Sequence, residues 1–251
     1  MAASYGDIIP VISRAVDEDD DDDSSEIIKI PEPEICWQTT LIPEKTTDFV
    51  IAIGPAASVF VGTNFMSNDN TSEIGKISLE SQKDCFIHQL REHPNVLLCM
   101  CNQRLQHEQA FTWTEQLMQQ FKEVDVNVTV LNGAMAAEYK CNKAINDVKL
   151  PLVRALKTSH CKNDALCQYL DQPNTVSGVA AQIISYCQIY GLRCTLYQAF
   201  TDTIHLDSIQ VNAFNFILKG NPFKQLQQFG GDNNRLKGLL EKESSENLLY
   251  L

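Results

Sequence analysis

The chain has 251 residues, 44% hydrophobic and 8% aromatic, which is ordinary for a globular protein and enough for one large core-bearing domain. Its net charge of −12 is concentrated at the start: residues 1–47 hold twelve acidic and three basic side chains, the other 204 residues twenty and seventeen. A body so close to neutral lacks the Lys/Arg face that phosphates require, which argues against a nucleic-acid partner, and no apolar run approaches the roughly 20 residues of a membrane helix.

Residues 1–10 include Tyr5, Gly6 and Asp7 where a secretory signal would have an apolar core. The nine cysteines are odd in number and irregular in spacing. They are therefore expected as free thiols in a reducing compartment. Asp17 to Asp23 comprises six aspartates and Glu18. Like charges at that density cannot bury enough surface to offset ordering entropy, so residues 1–33 are expected to form a disordered acidic arm. A docking role for that arm stays open.

From Glu34 the pattern alternates. Ile35 to Leu41 is β-branched and aromatic, an edge strand. Phe49 to Ile53 is a continuous apolar run stopped by Gly54-Pro55, a strand buried on both faces, and Ala56 to Phe65 follows as a helix. Asn95 to Cys101, entered through Pro94, is a second buried strand. Phe111, Thr114, Leu117, Met118 and Phe121 carry helical spacing, and Val126, Val128 and Val130 alternate as a strand. Ala180, Ile183, Ile184 and Cys187 predict a helix capped near Ser177-Gly178. Cys194 to Phe200 predicts a strand, and Ile209, Phe214, Ile217 and Leu218 a helix ending before Gly220-Asn221-Pro222. Arg235 to Lys242 predicts a last short helix. The fold class is α/β: a single domain over residues 34–242 with a mostly parallel sheet flanked by helices on both faces, then a flexible tail over 243–251.

Catalytic groupings are scarce. Gly54-Pro55-Ala56-Ala57-Ser58 stands where a phosphate loop would, but it lacks the later glycines, and Pro55 removes an amide donor. It reads as a strand-to-helix turn. Cys99 and Cys101 would share one strand face without further ligands, and His160, Cys161 and Cys167 lie in one polar loop without a partner knuckle. None of the five histidines stands in a nucleophile signature. Asp202 and Asp207 suit a turn and a helix start better than acid–base chemistry. No catalytic, cofactor-binding or metal-binding residue is assigned. A small-metabolite enzyme of phosphorylase- or hydrolase-like α/β architecture remains the alternative, since the carboxyl ends of the strands could hold a pocket.

The densest specific strings are Leu150 to Thr158, Leu170 to Val176 and Ala180 to Gln188, joined by Phe49 to Gly54 and Leu97 to Cys101. Together they resemble the proteasome assembly chaperones over the whole chain after the acidic arm. The resemblance implies a non-enzymatic, cofactor-free factor that pairs with proteasome assembly chaperone 2 and helps build the α-subunit ring of the proteasome core while preventing off-pathway ring dimers. It implies cytoplasm and nucleus as the location, with peripheral association at the endoplasmic reticulum and no membrane insertion. Leu249-Tyr250-Leu251 is similar to the hydrophobic–tyrosine–any ending by which this family enters pockets between ring subunits. The carboxylate would be captured at the pocket end, Leu249 would bury apolar area, and Tyr250 would add a rigid aromatic with a hydroxyl. Because they lie inside the matching strings, Arg154, Lys157, Gln172, Pro173 and Asn174 are expected to face the partner chaperone or support that face.

Overall fold

The buried runs dictate where the sheet sits. In the computed structural model, which describes residues 30–38, 45–67, 69–80, 82–141, 149–203, 205–226 and 233–248, Asp48–Ile53 (β2) lies at its centre. The other strands are Glu34–Trp37 (β1), Thr71–Ser78 (β3), Cys85–Leu90 (β4), Val96–Cys101 (β5), Asn127–Met135 (β6), Leu152–Lys157 (β7) and Arg193–Thr201 (β8). Their order across the sheet is β1-β3-β4-β5-β2-β6-β8-β7. The central four strands, β5, β2, β6 and β8, run parallel, and the outer strands pair antiparallel. The expected parallel character thus belongs to the core of the sheet, and its flanks make it mixed.

Alternation on β2 feeds two cores. Phe49 and Ile51 join Leu97, Cys99, Val128 and Val130 under His107–Met118 (α2) and Gly178–Ile189 (α3). Val50 and Ala52 join Leu98, Leu131 and Tyr197 under Pro55–Phe65 (α1), where Phe60 meets Phe65 edge to face and packs at a tilt on Phe214. Both faces are covered by helices, so β2 and β5 show no polar alternation, whereas β6 keeps Asn127 and Thr129 between its buried residues. Each fully buried large apolar side chain contributes about 1.5–3 kcal/mol.

The expected turn at Gly54-Pro55 is present: Gly54, with φ +82°, caps α1, and Pro55 takes its first position. In α2 the buried aromatic is Trp113, fully enclosed, whereas Phe111 is 53% exposed. The buried stripe runs 110, 113, 114, 117, 118, leaving Phe111 at its margin. Trp113 Nε1 donates to Gln103 Oε1 at 3.2 Å, and Gln103 Nε2 donates to the Ile77 and Lys83 carbonyls at 3.1 and 2.8 Å. One glutamine therefore ties α2 to the β3–β4 hairpin.

Three strands go unrecognised in the sequence: β3, β4 and β7. Each mixes polar with apolar side chains, and β3 also holds Gly75 beside a register shift. The helix expected around Ile209–Leu218 is split into Ser208–Asn212 (α4) and a 3₁₀ turn over Asn215–Lys219, followed by Phe223–Leu226 (α5). The final helix, Asn233–Leu248 (α6), runs six residues past the expected end at Lys242, so most of the segment read as flexible tail is helical. Residues Pro31–Leu251 form one compact unit. Of the acidic arm, only residues 30–33 are among those described, and Thr39 to Leu41 also fall outside them.

Candidate functional site

β7 is the last strand of the sheet, and the residues singled out in the sequence gather around it. Its outer edge is covered at one point: Ala155 N donates to the Gln168 carbonyl at 2.9 Å, and Leu170 N donates to the Ala155 carbonyl at 2.8 Å. This short bridge fixes the 158–176 connection against the strand, and the polar side chains then lock it.

Arg154 Nε lies 3.8 Å from Asp171 Oδ1, which also accepts from the Tyr139 hydroxyl at 2.8 Å. The Arg154 guanidinium sits 5.9 Å from the Tyr139 ring centroid, and that ring stacks on Phe200 at 5.0 Å. Burial, and then the bond to Asp171, push the Tyr139 phenol upward. Asn174 completes this brace. Its Oδ1 accepts from Lys140 N at 2.7 Å, and its Nδ2 donates to the Lys140 and Asp171 carbonyls at 2.9 and 3.0 Å. One amide side chain imitates a strand partner for residue 140. Gln172 and Pro173 form the exposed tip between Asp171 and Asn174.

Lys157 belongs to a separate cluster. Its Nζ pairs with Asp164 Oδ1 at 3.0 Å, donates to the Asn163 carbonyl at 3.2 Å, and lies 5.6 Å from the Tyr169 ring. Tyr169 in turn donates to Asp164 at 3.3 Å. The hydrogen bond between Lys157 and Asp164 raises the lysine and lowers the carboxyl. The structure therefore brings Arg154 and Asn174 together through Asp171 and separates them from Lys157. Asp171, Tyr139, Asp164 and Tyr169 were not singled out in the sequence. Asp171 stood inside a quoted string, but its partner Tyr139 is 32 residues away and carries no local signal.

Asp207 caps α4, accepting from Gln210 N at 2.8 Å, as a helix-start carboxylate should. A crevice of about 450 Å³ opens at the carboxyl ends of β2, β6 and β8, lined by Gly54, Asn132, Gly133, Glu138, Thr201 and Gln210 among others. Among its described lining residues Glu138 is the only ionisable one, and none is Ser, Cys or His. A larger polar cleft of about 600 Å³ lies at the amino ends, between the Cys161–Leu166 and Gly220–Gln225 segments.

Cys99 and Cys101 do share a strand face, fully buried with Cys85 beside them. Burial pushes the Cys99 thiol up, and a bond to Cys85 together with burial pushes Cys101 up. Cys161 Sγ donates to the Cys194 carbonyl at 3.2 Å. Among the described residues no three His, Cys, Asp or Glu side chains converge as metal ligands, and no helix is long and apolar enough to cross a membrane. Leu249, Tyr250 and Leu251 lie outside the described residues; α6 leads to them.

A parallel-centred α/β sheet with a braced edge strand is the class this geometry defines. The PAC1 family model, described as Proteasome assembly chaperone 4, matches residues 1–251. Curated relatives carry the name Proteasome assembly chaperone 1: that of Xenopus tropicalis is 28% identical, with 98% of each chain covered. That of Danio rerio is 29% identical, with 85% of this chain and 88% of its own covered. Among solved structures, Pyrococcus furiosus PbaA, an archaeal homolog of proteasome-assembly chaperone, superposes with a TM-score of 0.56 at 11% identity, covering 85% of this chain and 94% of PbaA. That likeness supports the fold alone. The chain belongs to the PAC1 family of proteasome assembly chaperones, and its role is in proteasome assembly.

Proposed function

We propose that the chain is a non-enzymatic subunit of a heterodimer with proteasome assembly chaperone 2, working in the cytoplasm and nucleus with peripheral association at the endoplasmic reticulum. The pair sits on the outer face of the forming α-subunit ring and inserts Leu249-Tyr250-Leu251 between adjacent subunits. It promotes ring closure and blocks ring dimers. The observation that carries this reading is the family match over residues 1–251. The tail motif adds to it, as does a braced edge whose exposed tip, Gln172 and Pro173, is available to a partner while Arg154 and Asn174 hold it from behind. The crevice at the carboxyl ends favours the second reading, a small-metabolite enzyme, but Glu138, the one ionisable group among its described lining residues, supplies no nucleophile–base pair.

The test is a pull-down from cells expressing wild type, Tyr250→Ala or a chain lacking residues 249–251, scoring partner chaperone and α-subunits separately. Both changes should weaken α-subunit capture by about 1–3 kcal/mol, the usual cost of truncating an anchoring aromatic, and leave the partner chaperone bound. Equal α-subunit recovery from all three would remove the tail from the mechanism.

A further inference from the structure

Gly133 stands inside β6 without a packing reason. Its φ lies outside the left-handed region, and nothing is within 4 Å of a Cβ built on it, so neither backbone conformation nor crowding calls for glycine there. Glycine inside a strand weakens it, and it often marks a place where a ligand or another backbone comes close. Gly133 is exposed and lines the crevice at the carboxyl ends of the strands.

The register of β6 defines what that position offers. Asn127 N donates to the Thr47 carbonyl at 2.8 Å, so residues 127, 129, 131, 133 and 135 turn their N–H and C=O groups toward β2. β6 pairs with β2 up to Asn132, opposite Ile53, but with β8 up to Met135, opposite Thr201. On the β2 side the next rung would have residue 55 donate to the Gly133 carbonyl. Residue 55 is Pro, which has no N–H, and the chain turns there into α1. The Gly133 carbonyl therefore has no ladder partner on that side. Two residues on, Met135 N donates to Glu138 Oε1 at 3.3 Å, longer than the usual range for such a bond. A carbonyl and an amide spaced as one rung thus face a notch where β2 leaves the middle of the sheet.

We propose that this notch binds an extended internal segment of a protein partner, added parallel to β6 in the place β2 vacates. One residue of the segment donates its N–H to the Gly133 carbonyl and accepts from Met135 N, which Glu138 releases. An apolar side chain of the segment fills the crevice against Pro55, Met135, Leu206 and Phe214. The crevice, about 450 Å³, is of a size and apolar character that suit such a group. None of its described lining residues is Lys, Arg or His, and Glu138 repels anions. That charge disfavours a phosphate or a free terminal carboxylate and selects an internal stretch. The proposal goes beyond the tail reading and does not depend on it.

The experiment offers the immobilised full chain a displayed library of seven random residues, flanked on both sides by Gly-Ser linkers, with the Gly133→Leu chain as counter-target. Sequences with an apolar residue at a fixed position should be enriched. The selected peptide should bind Gly133→Leu about ten-fold more weakly or worse, because the new side chain fills the notch. N-methylation along the peptide should weaken binding to the unaltered chain with a period of two. The loss should be about five-fold where the amide faces Gly133 and slight at the residues on either side. Gly133→Leu should keep the wild-type thermal midpoint, since open space receives its side chain. If that midpoint falls, the N-methyl series, run on the unaltered chain, decides alone. No enriched sequence, equal binding by the two chains, or a flat N-methyl series would each overturn the notch.

Discussion

Asn174 is the residue at which a quoted string acquires a physical task. Its amide makes three bonds to the backbone of residues 140 and 171, so Asn174→Ala leaves the Lys140 amide and carbonyl without that partner. A loss of about 1–2 kcal/mol is expected in denaturant unfolding, the usual scale for such bonds. Gln172→Ala, at the exposed tip, should leave the unfolding midpoint unchanged and weaken association with proteasome assembly chaperone 2; a stability loss equal to that of Asn174→Ala would place Gln172 in the brace. A second residue-scale expectation concerns pH. Burial raises Cys167 to about 11 and raises the phenols of Tyr139, Tyr186 and Tyr197. The folded chain thus keeps protons that the unfolded chain releases from about pH 8.5 for thiols and about 10 for phenols. The stabilisation is complete below about pH 8.5 and is lost as pH rises toward 11. Urea midpoints measured from pH 8 to 10.5 should fall, and a rising midpoint would contradict these burials.

At the scale of elements, both ends of the sheet are closed in different ways. β1 is four residues long, and its Ile35 N donates to Gln116 Oε1 of α2 at 3.0 Å. β7 is covered by the Gln168–Leu170 bridge. Uncovered strand edges invite pairing with other chains. Leu170→Pro removes the donor to Ala155 and should lower the temperature at which light scattering rises, whereas Leu170→Ala, which keeps the N–H, should not. Identical scattering onsets would mean that the bridge is not what protects the edge.

For the whole molecule, every described core residue lies at or after Ile35, and the acidic run from Asp17 to Asp23 cannot contribute to a packed core. Deleting residues 1–29 should therefore leave the thermal midpoint nearly unchanged, and a large drop would show that the arm contributes to packing. A heterodimer subunit isolated from its partner exposes the surface that partner would cover, so heat resistance should rise on mixing with proteasome assembly chaperone 2. The same midpoint alone and mixed would count against the obligate pair.

The central strands were legible in the sequence because a strand buried on both faces must be apolar throughout, as Phe49 to Ile53 and Val96 to Cys101 are. The Gly54-Pro55 turn, the α3 periodicity and the Asp207 cap were legible for the same kind of reason: each is set by neighbours within a few residues. The β3–β4 hairpin and β7 were not, because their mixed polarity makes sense only beside strands far along the chain. Nor was the pairing of Arg154 and Tyr139 with Asp171, or the six further residues of helix beyond Lys242. The sequence by itself determined the locally patterned elements and the family, through local patterns and exact strings. Only the tertiary structure decided the sheet order and the edge brace, because these depend on contacts between residues that sequence spacing leaves unrelated.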